Sequence, residues 1–240
     1  MCVLKARIKF AKTGSMKYVG HLDIMRYFQK AIRRSGLPIK YSEGFNPHQI
    51  MSFAAPLGVG ITSEGEYMDI ELREEVKSRE ALERLQNTMV EEMDILQFRY
   101  LPDHTPNAMS SLAAASYILS YKHPEKFSYT LDELKKGISD FYTNAKEILI
   151  VKKTKKGQRE LDLKLLIYDF NVSLEDDEIQ FYLLVSTGSV DNIKPELVLE
   201  HFFHFLGQEV EEHSFFIHRL DMLTRVDEKL VSLGDVGYEL

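Results

Sequence analysis

Residues 3–10 read VLKARIKF and residues 20–35 read GHLDIMRYFQKAIRRS, and the change of period between them decides the fold. In the first stretch Val3, Leu4, Ala6, Ile8 and Phe10 alternate loosely with Lys5, Arg7 and Lys9, which is the period of a half-buried strand. Thr13-Gly14-Ser15 is a turn. In the second stretch, stepping about 100° per residue from Arg26 places Ile24, Met25, Phe28 and Ile32 between about 160° and 260°. Arg26, Lys30, Arg33 and Arg34 fall on the opposite arc, from about 340° to 80°. The segment is therefore expected to be a helix with a core face and a stripe of cations. Gly36 closes it and Pro38 prevents its return.

Working outward, Ile39-Lys40-Tyr41 is extended, and Ser42 to His48 is a loop rich in turn formers. Residues 49–55 and 66–72 read as strands, 77–92 as an amphipathic helix and 94–101 as a strand. This order is the split βαβ pattern with an extra strand in its middle. Pro102 to Ser111 is a connection, and a similar order follows. It comprises strand 112–121, helix 130–142, strands 147–153, 160–168 and 178–185, a helix opened by Pro195, and strand 215–223. Thr130 or Asp132 is the expected cap of the earlier helix. The expected architecture is α+β: two tandem ferredoxin-like (βαββαβ) units at 1–102 and 110–228, and a C-terminal tail at 229–240.

The chain has 240 residues, enough for one or two domains at about 150 residues each. With 44% hydrophobic and 28% charged residues it has the make-up of a folded protein rather than a disordered or collagenous one. No run approaches the roughly 18 apolar residues of a membrane span, and early charges argue against a secretory signal, so a cytoplasmic protein with no membrane partner is expected. A single cysteine, Cys2, excludes an internal disulfide framework and an iron–sulfur cluster held by this chain alone. No cofactor of its own is expected.

The net charge of −7 hides a split. Residues 1–50 hold ten Lys/Arg against Asp23 and Glu43, a net of +8, so the other 190 residues carry −15. Gathered onto one side, that excess makes a positive field; scattered, it is a solvated surface balanced by Glu64, Glu66 and Glu71.

Several constellations have two readings. His21 at the helix start is either bonded to a loop carbonyl or a general acid or phosphate contact beside Lys17 and Tyr18, since its ordinary pKa is about 6.5. Tyr41 to His48 (YSEGFNPH) is either a packed loop or an aromatic platform on which bases stack. Lys152, Lys153, Lys155 and Lys156 form either a solvated turn or a second positive site. Gly58-x-Gly60 lacks the Rossmann and P-loop spacings and is a turn. His201 and His204 lie at i, i+3 without a placed third ligand, so no metal site is expected.

The motifs GHLD-x-MR, RR-x-GLP-x-x-YSEGFNPH, F-x-x-PL-x-VG and EGEYMDIEL closely resemble the radical-SAM-linked uncharacterised family, densely through residues 3–72 and more thinly to about residue 225. The resemblance implies a partner radical S-adenosylmethionine protein. The family's usual gene neighbourhood, an E/G-type ribonuclease and ribosomal-protein genes, implies RNA or ribosome-linked work. The tandem pattern also looks like the RAMP-type RNA-binding proteins, some of which cut RNA with a histidine near the first helix. The expectation is an accessory protein that binds tRNA or rRNA for a partner enzyme. Its RNA contacts would be Lys17, Arg26, Lys30, Arg33, Arg34, Tyr41, Ser42, Phe45, Asn46 and His48, extended by the four lysines of 152–156. Metal-independent RNA cleavage through His21 and a pure protein adaptor are the alternatives.

Overall fold

The computed structural model describes residues 4–126, 128–154, 157–188 and 191–240. The fold is α+β, and the chain divides into two compact units, Met1–Ala113 with Arg219–Leu240, and Ala114–His218.

In the first unit, strand β1 (Leu4–Lys12) leads into helix α1 (His21–Ser35), then β2 (Met51–Phe53), β3 (Thr62–Leu72), helix α2 (Ser78–Gln86) and β4 (Ile95–Tyr100). The strands lie in the order β4-β1-β3-β2, all pairs antiparallel: Ile8 faces Phe98 on one side and Met68 on the other, and Met68 in turn faces Phe53. The period-2 pattern of β1 sends Ala6, Ile8 and Phe10 into one core with Ile24, Phe28, Ala31 and Ile32 of α1 and Ala81 and Leu85 of α2. Phe10 and Phe28 pack with ring centroids 4.6 Å apart. Helix α2 is shorter than the 77–92 pattern predicts. It ends where the Thr88 hydroxyl donates to the carbonyl of Leu85 at 2.7 Å. Met89 keeps its core contact from outside the helix.

The opposite face of this sheet carries Arg7, Tyr67 and Asp69, each buried. The end of the chain helps to cover it. Residues 229–240, read from sequence as a tail, include strand β11 (Lys229–Ser232), which pairs with the last residues of β10 (Phe215–Val226), and the fully buried Leu233. Tyr238 and Tyr100 exchange two backbone hydrogen bonds, at 2.8 and 2.9 Å.

The second unit starts within β5 (Leu112–Tyr121), which follows the short helix α3 (Ala108–Ser111). Helix α4 (Leu131–Ile138), hairpin β6–β7 (Leu149–Thr154 and Gly157–Asp162), β8 (Ile167–Glu175), β9 (Glu178–Ser186) and α5 (Pro195–Phe205) follow. The strands β5, β9 and β8 pair antiparallel in that order, and the start of β10 lies beside the end of β5, where the Lys122 N–H donates to Ser214 at 2.8 Å. The Thr130 cap is present as a capping box with Glu133. Phe141, Phe170, Phe181, Phe202 and Phe203 fill the core. One expected strand, 160–168, is two. Asp162 Oδ1 accepts the N–H groups of both Lys164 and Ile148, which turns the chain into a 3₁₀ turn at Leu163–Leu165 before β8 begins.

Candidate nucleic-acid interface

Helix α1 starts at His21 after an extended Gly20 and stops at Gly36, whose φ of +67° is a left-handed conformation that suits glycine. Its buried stripe fixes which residues face water: Arg26, Lys30, Arg33 and Arg34 are all exposed. Arg26 pairs with Asp23 at 3.3 Å, and Arg34 donates to the carbonyl of Thr88 at 2.9 Å. Neither contact cancels much charge, because an exposed i,i+3 pair is screened and a carbonyl is neutral. Lys30 and Arg33 have no ion pair among the described residues.

The loop after α1 is closed at its base. Tyr41 and Gln49 bridge as antiparallel partners, the Ser42 N–H donates to the carbonyl of His48 at 2.8 Å, and the Ser42 hydroxyl lies 2.8 Å from His48 Nδ1. This leaves Glu43 to Pro47 as an exposed tip, with Gly44 at φ +115° turning the chain and Phe45 105% exposed. The loop is fastened to the helix. Gln49, 5% exposed, donates Nε2 to the carbonyl of Gln29 at 3.2 Å. Gln29 adjoins Lys30 and stands one turn before Arg33, so the base of the loop is anchored on the helical segment that bears those two cations.

Of the sequence-selected residues, Arg26, Lys30, Arg33, Arg34, Tyr41, Phe45 and Asn46 are exposed on α1 and this loop, while Ser42 and His48 are engaged with each other. Lys17 sits before α1, its Nζ 5.2 Å from the Tyr18 ring centroid, with its carbonyl accepting the Gly60 N–H. Lys155 and Lys156 lie outside the described residues, as do the side chains of Lys152 and Lys153.

The early positive excess is smaller at the surface than in the sequence. Arg7 is bound to Asp69, Lys9 to Asp221 at 3.3 Å and Lys40 to Glu71 at 3.1 Å. Lys12 is buried, with its Nζ donating to the carbonyl of Val19 at 2.8 Å. Burial pushes the Lys12 ammonium pKa down, and the nearby Glu66 carboxylate opposes that shift. Glu66 also meets Arg219 at 3.0 Å, both side chains being buried. Sequence reading did not single out this Lys12–Glu66–Arg219 cluster. A charged residue at a strand position is the sequence signal, but nothing local marks it as buried. His21 is half-buried beside it, its ring edge-on to Phe53 at 5.4 Å. His21, Lys12 and Glu66 line one small cavity of about 10 Å³, room for roughly one water. The phenol of Tyr67 hydrogen-bonds Asp221, and burial, with that carboxylate beside it, holds its pKa far above the ordinary value.

Among the described residues, no helix is long and apolar enough to cross a membrane, and no group of three or more His, Cys, Asp or Glu side chains is placed to hold a metal ion.

Residues 5–195 match a family model described as "Uncharacterized protein conserved in bacteria (DUF2344)". No curated protein matches the sequence. Among solved structures, the chain is similar over 96% of its length to a chain of a Cbf5–Nop10–Gar1 complex, with 14% identity and a TM-score of 0.51. It spans about half of that chain, 53%. An unknown protein from Galdieria sulphuraria also matches, over 92% of this chain and 98% of its own, at 10% identity and a TM-score of 0.25. The first likeness is one of fold.

Proposed function

This chain belongs to the family of uncharacterised proteins conserved in bacteria (DUF2344), and from that premise we propose that it is an RNA-binding accessory protein serving a partner radical-SAM enzyme in the cytoplasm. The observation that carries the reading is the joining of two features of single-strand RNA binders on one helix. Lys30 and Arg33 stand exposed and unpaired among the described residues, and Phe45 projects from a loop that Gln49 ties to the same helix. Cations hold the phosphate backbone, and a flat exposed ring stacks a base. The finer fold belongs to the same proposal. Strand orders β4-β1-β3-β2 and β10-β5-β9-β8, with helices after the first and third strands, fit two ferredoxin-like units of RAMP type, a scaffold on which RNA-binding sites are grafted. The radical-SAM partner rests on the resemblance of the GHLD and YSEGFNPH motifs.

The test is binding of labelled bulk tRNA and single-stranded RNA by the full chain from low to moderate salt. Affinity should fall steeply with salt. The Arg33→Glu/Arg34→Glu variant should lose most of it, and Phe45→Ala should weaken it by roughly tenfold, within the range of about 1–3 kcal/mol for one stacked base. Unchanged affinity in both variants overturns the surface.

A second reading, metal-independent RNA cleavage, is favoured by one observation: His21 shares its small cavity with Lys12 and Glu66, a proton donor and acceptor set. Cleavage of labelled RNA in chelator, lost in His21→Ala, would establish it. Co-purification of the radical-SAM partner after nuclease treatment, without RNA affinity, would instead establish a protein adaptor.

A further inference from the structure

Arg7 lies on the face of β1 turned away from the helices and is 2% exposed. Its Nε and Nη2 meet the two carboxylate oxygens of Asp69 at 2.8 and 3.0 Å. Asp69 is itself held, because Oδ2 accepts the Ala108 N–H at 2.8 Å. The guanidinium plane is thus fixed by a fork on one side. Its other contacts are long: Nη1 to the carbonyl of Leu233 and Nη2 to that of Pro106, both at 3.4 Å. Such N–H groups gain by turning to a better acceptor.

Arg7 is one of the residues that line a cavity of about 510 Å³ within the first unit. Thr105, Ser110, Ser111, Thr224 and Arg225 bring four hydroxyls and a second cation to its wall; the Thr105 hydroxyl donates to the carbonyl of Pro102 and those of Ser110 and Ser111 to that of Asn107, which leaves these three oxygens as acceptors. Val226 and Val236 give it an apolar side. Among the described residues, none of the side chains lining it is acidic, and Asp69, the counter-ion of Arg7, is not among them. The volume is far more than one inorganic anion needs and falls in the range of roughly 300–1,000 Å³ that takes whole small molecules.

We propose that this cavity binds a phosphomonoester of mononucleotide size. The Nη1–Nη2 edge of Arg7, pre-oriented by the Asp69 fork and engaged in two 3.4 Å contacts, and the guanidinium of Arg225 match phosphate oxygens, which arginine recognises through paired N–H donors. The hydroxyls match the sugar, and the valine side matches a flat ring. The site is separate from the α1 surface. Its ligand is either a free mononucleotide or the phosphorylated end of an RNA, which share this chemistry.

The experiment is calorimetric titration of the full chain with 5′-AMP, 5′-UMP, adenosine, inorganic phosphate, and a short RNA with and without a 5′-phosphate. Saturable one-to-one binding of a nucleotide, with adenosine silent, is expected. Arg225→Gln and the cavity-filling Ala113→Phe should each weaken binding by roughly tenfold or more, about the loss of one charge-assisted contact. Their thermal midpoints show that they remain folded. Arg33→Glu/Arg34→Glu should leave nucleotide binding unchanged, which separates this site from the RNA surface. Preference for AMP identifies a free nucleotide as the ligand; preference for 5′-phosphorylated over unphosphorylated RNA identifies a chain end. The proposal is overturned if no phosphomonoester binds at millimolar concentration, or if both folded cavity variants bind as the parent does.

Discussion

Gln49 donates its Nε2 to the carbonyl oxygen of Gln29 at 3.2 Å, so a loop residue is anchored on the backbone of helix α1. The other amide atom, Oε1, is buried and has no hydrogen-bond partner among the described residues. Gln49→Leu removes the bond and also this unsatisfied oxygen, so the net cost to stability should be about 1 kcal/mol or less. The loop loses its tether all the same. We expect faster hydrogen exchange at the amides of residues 42–48 and weaker RNA binding, with the thermal midpoint nearly unmoved. A variant with native exchange and native affinity would separate the loop from the helix surface.

Glu66 is the carboxylate shared by Arg219 and the field of Lys12, all three buried. Removing it takes a buried carboxylate away from both cations. Glu66→Gln should cost about 3–5 kcal/mol, the usual penalty for breaking a buried pair from one side. The pH response has a definite sign. Lys12 already has a lowered pKa in the folded chain, so between that value and the unfolded value of about 10.4 the unfolded state binds more protons and stability rises with pH. Without Glu66 the folded pKa falls further and the rise begins at lower pH. Urea midpoints from neutral to alkaline pH, for parent and variant, check both the cost and the shift.

These buried charges mark the boundary of what the residues disclose by themselves. The strand period of VLKARIKF, the helical period of 20–35, the Gly36 stop and the Thr130 cap are local signals, and the chain obeys them. The exposed face of α1 follows from the same periodicity. The fate of Arg7, Lys9 and Lys12 does not, because their partners Asp69, Asp221 and Glu66 lie more than fifty residues away along the chain and are brought near only by strand pairing. Strand β8 was hidden for a related reason. Apolar periodicity runs on from 160 to 168, while the break depends on Asp162 capping two N–H groups, one of them from the preceding segment. The Arg7 cavity is built from three separated stretches and has no sequence motif.

Gly65 and Gly58 make opposite demands. A Cβ on Gly65 would lie 2.4 Å from Asp221 Cα and 2.5 Å from the carbonyl oxygen of Leu220, so the backbone of β10 occupies its place. Gly65→Ala must push two strands apart, at a cost of about 3 kcal/mol. A Cβ on Gly58 meets only the end of the Ile61 side chain at 3.1 Å, which can rotate away. Gly58→Ala should change stability by under about 0.5 kcal/mol, as surface substitutions do. Denaturant midpoints of the two single variants give the comparison; equal effects would contradict the close crossing at Gly65.

Glu92 and Glu133 make the fold sensitive to acid at two turns. The Glu92 carboxylate accepts the Ser15 hydroxyl and N–H at 2.7 Å each and the Met16 N–H at 3.3 Å, and these bonds hold its pKa below the ordinary carboxylate value, the Ser15 hydroxyl most strongly. Glu133 is lowered in the same way by the N–H and hydroxyl of Thr130. A carboxylate with a depressed folded pKa contributes stability that is fully present above its unfolded pKa of about 4.3 and is lost as pH falls through the folded value. Glu92→Gln should therefore destabilise the chain at pH 7 and flatten its loss of stability below about pH 4.5, because one of the responsible groups no longer titrates. Glu133→Gln should act likewise through the capping box, and since the two turns share no partner their effects should add. Midpoints of urea unfolding measured from neutral to acid pH, for the parent, both single variants and the double variant, give the test. An acid limb as steep in the double variant as in the parent would mean that other carboxylates set the acid stability of this fold.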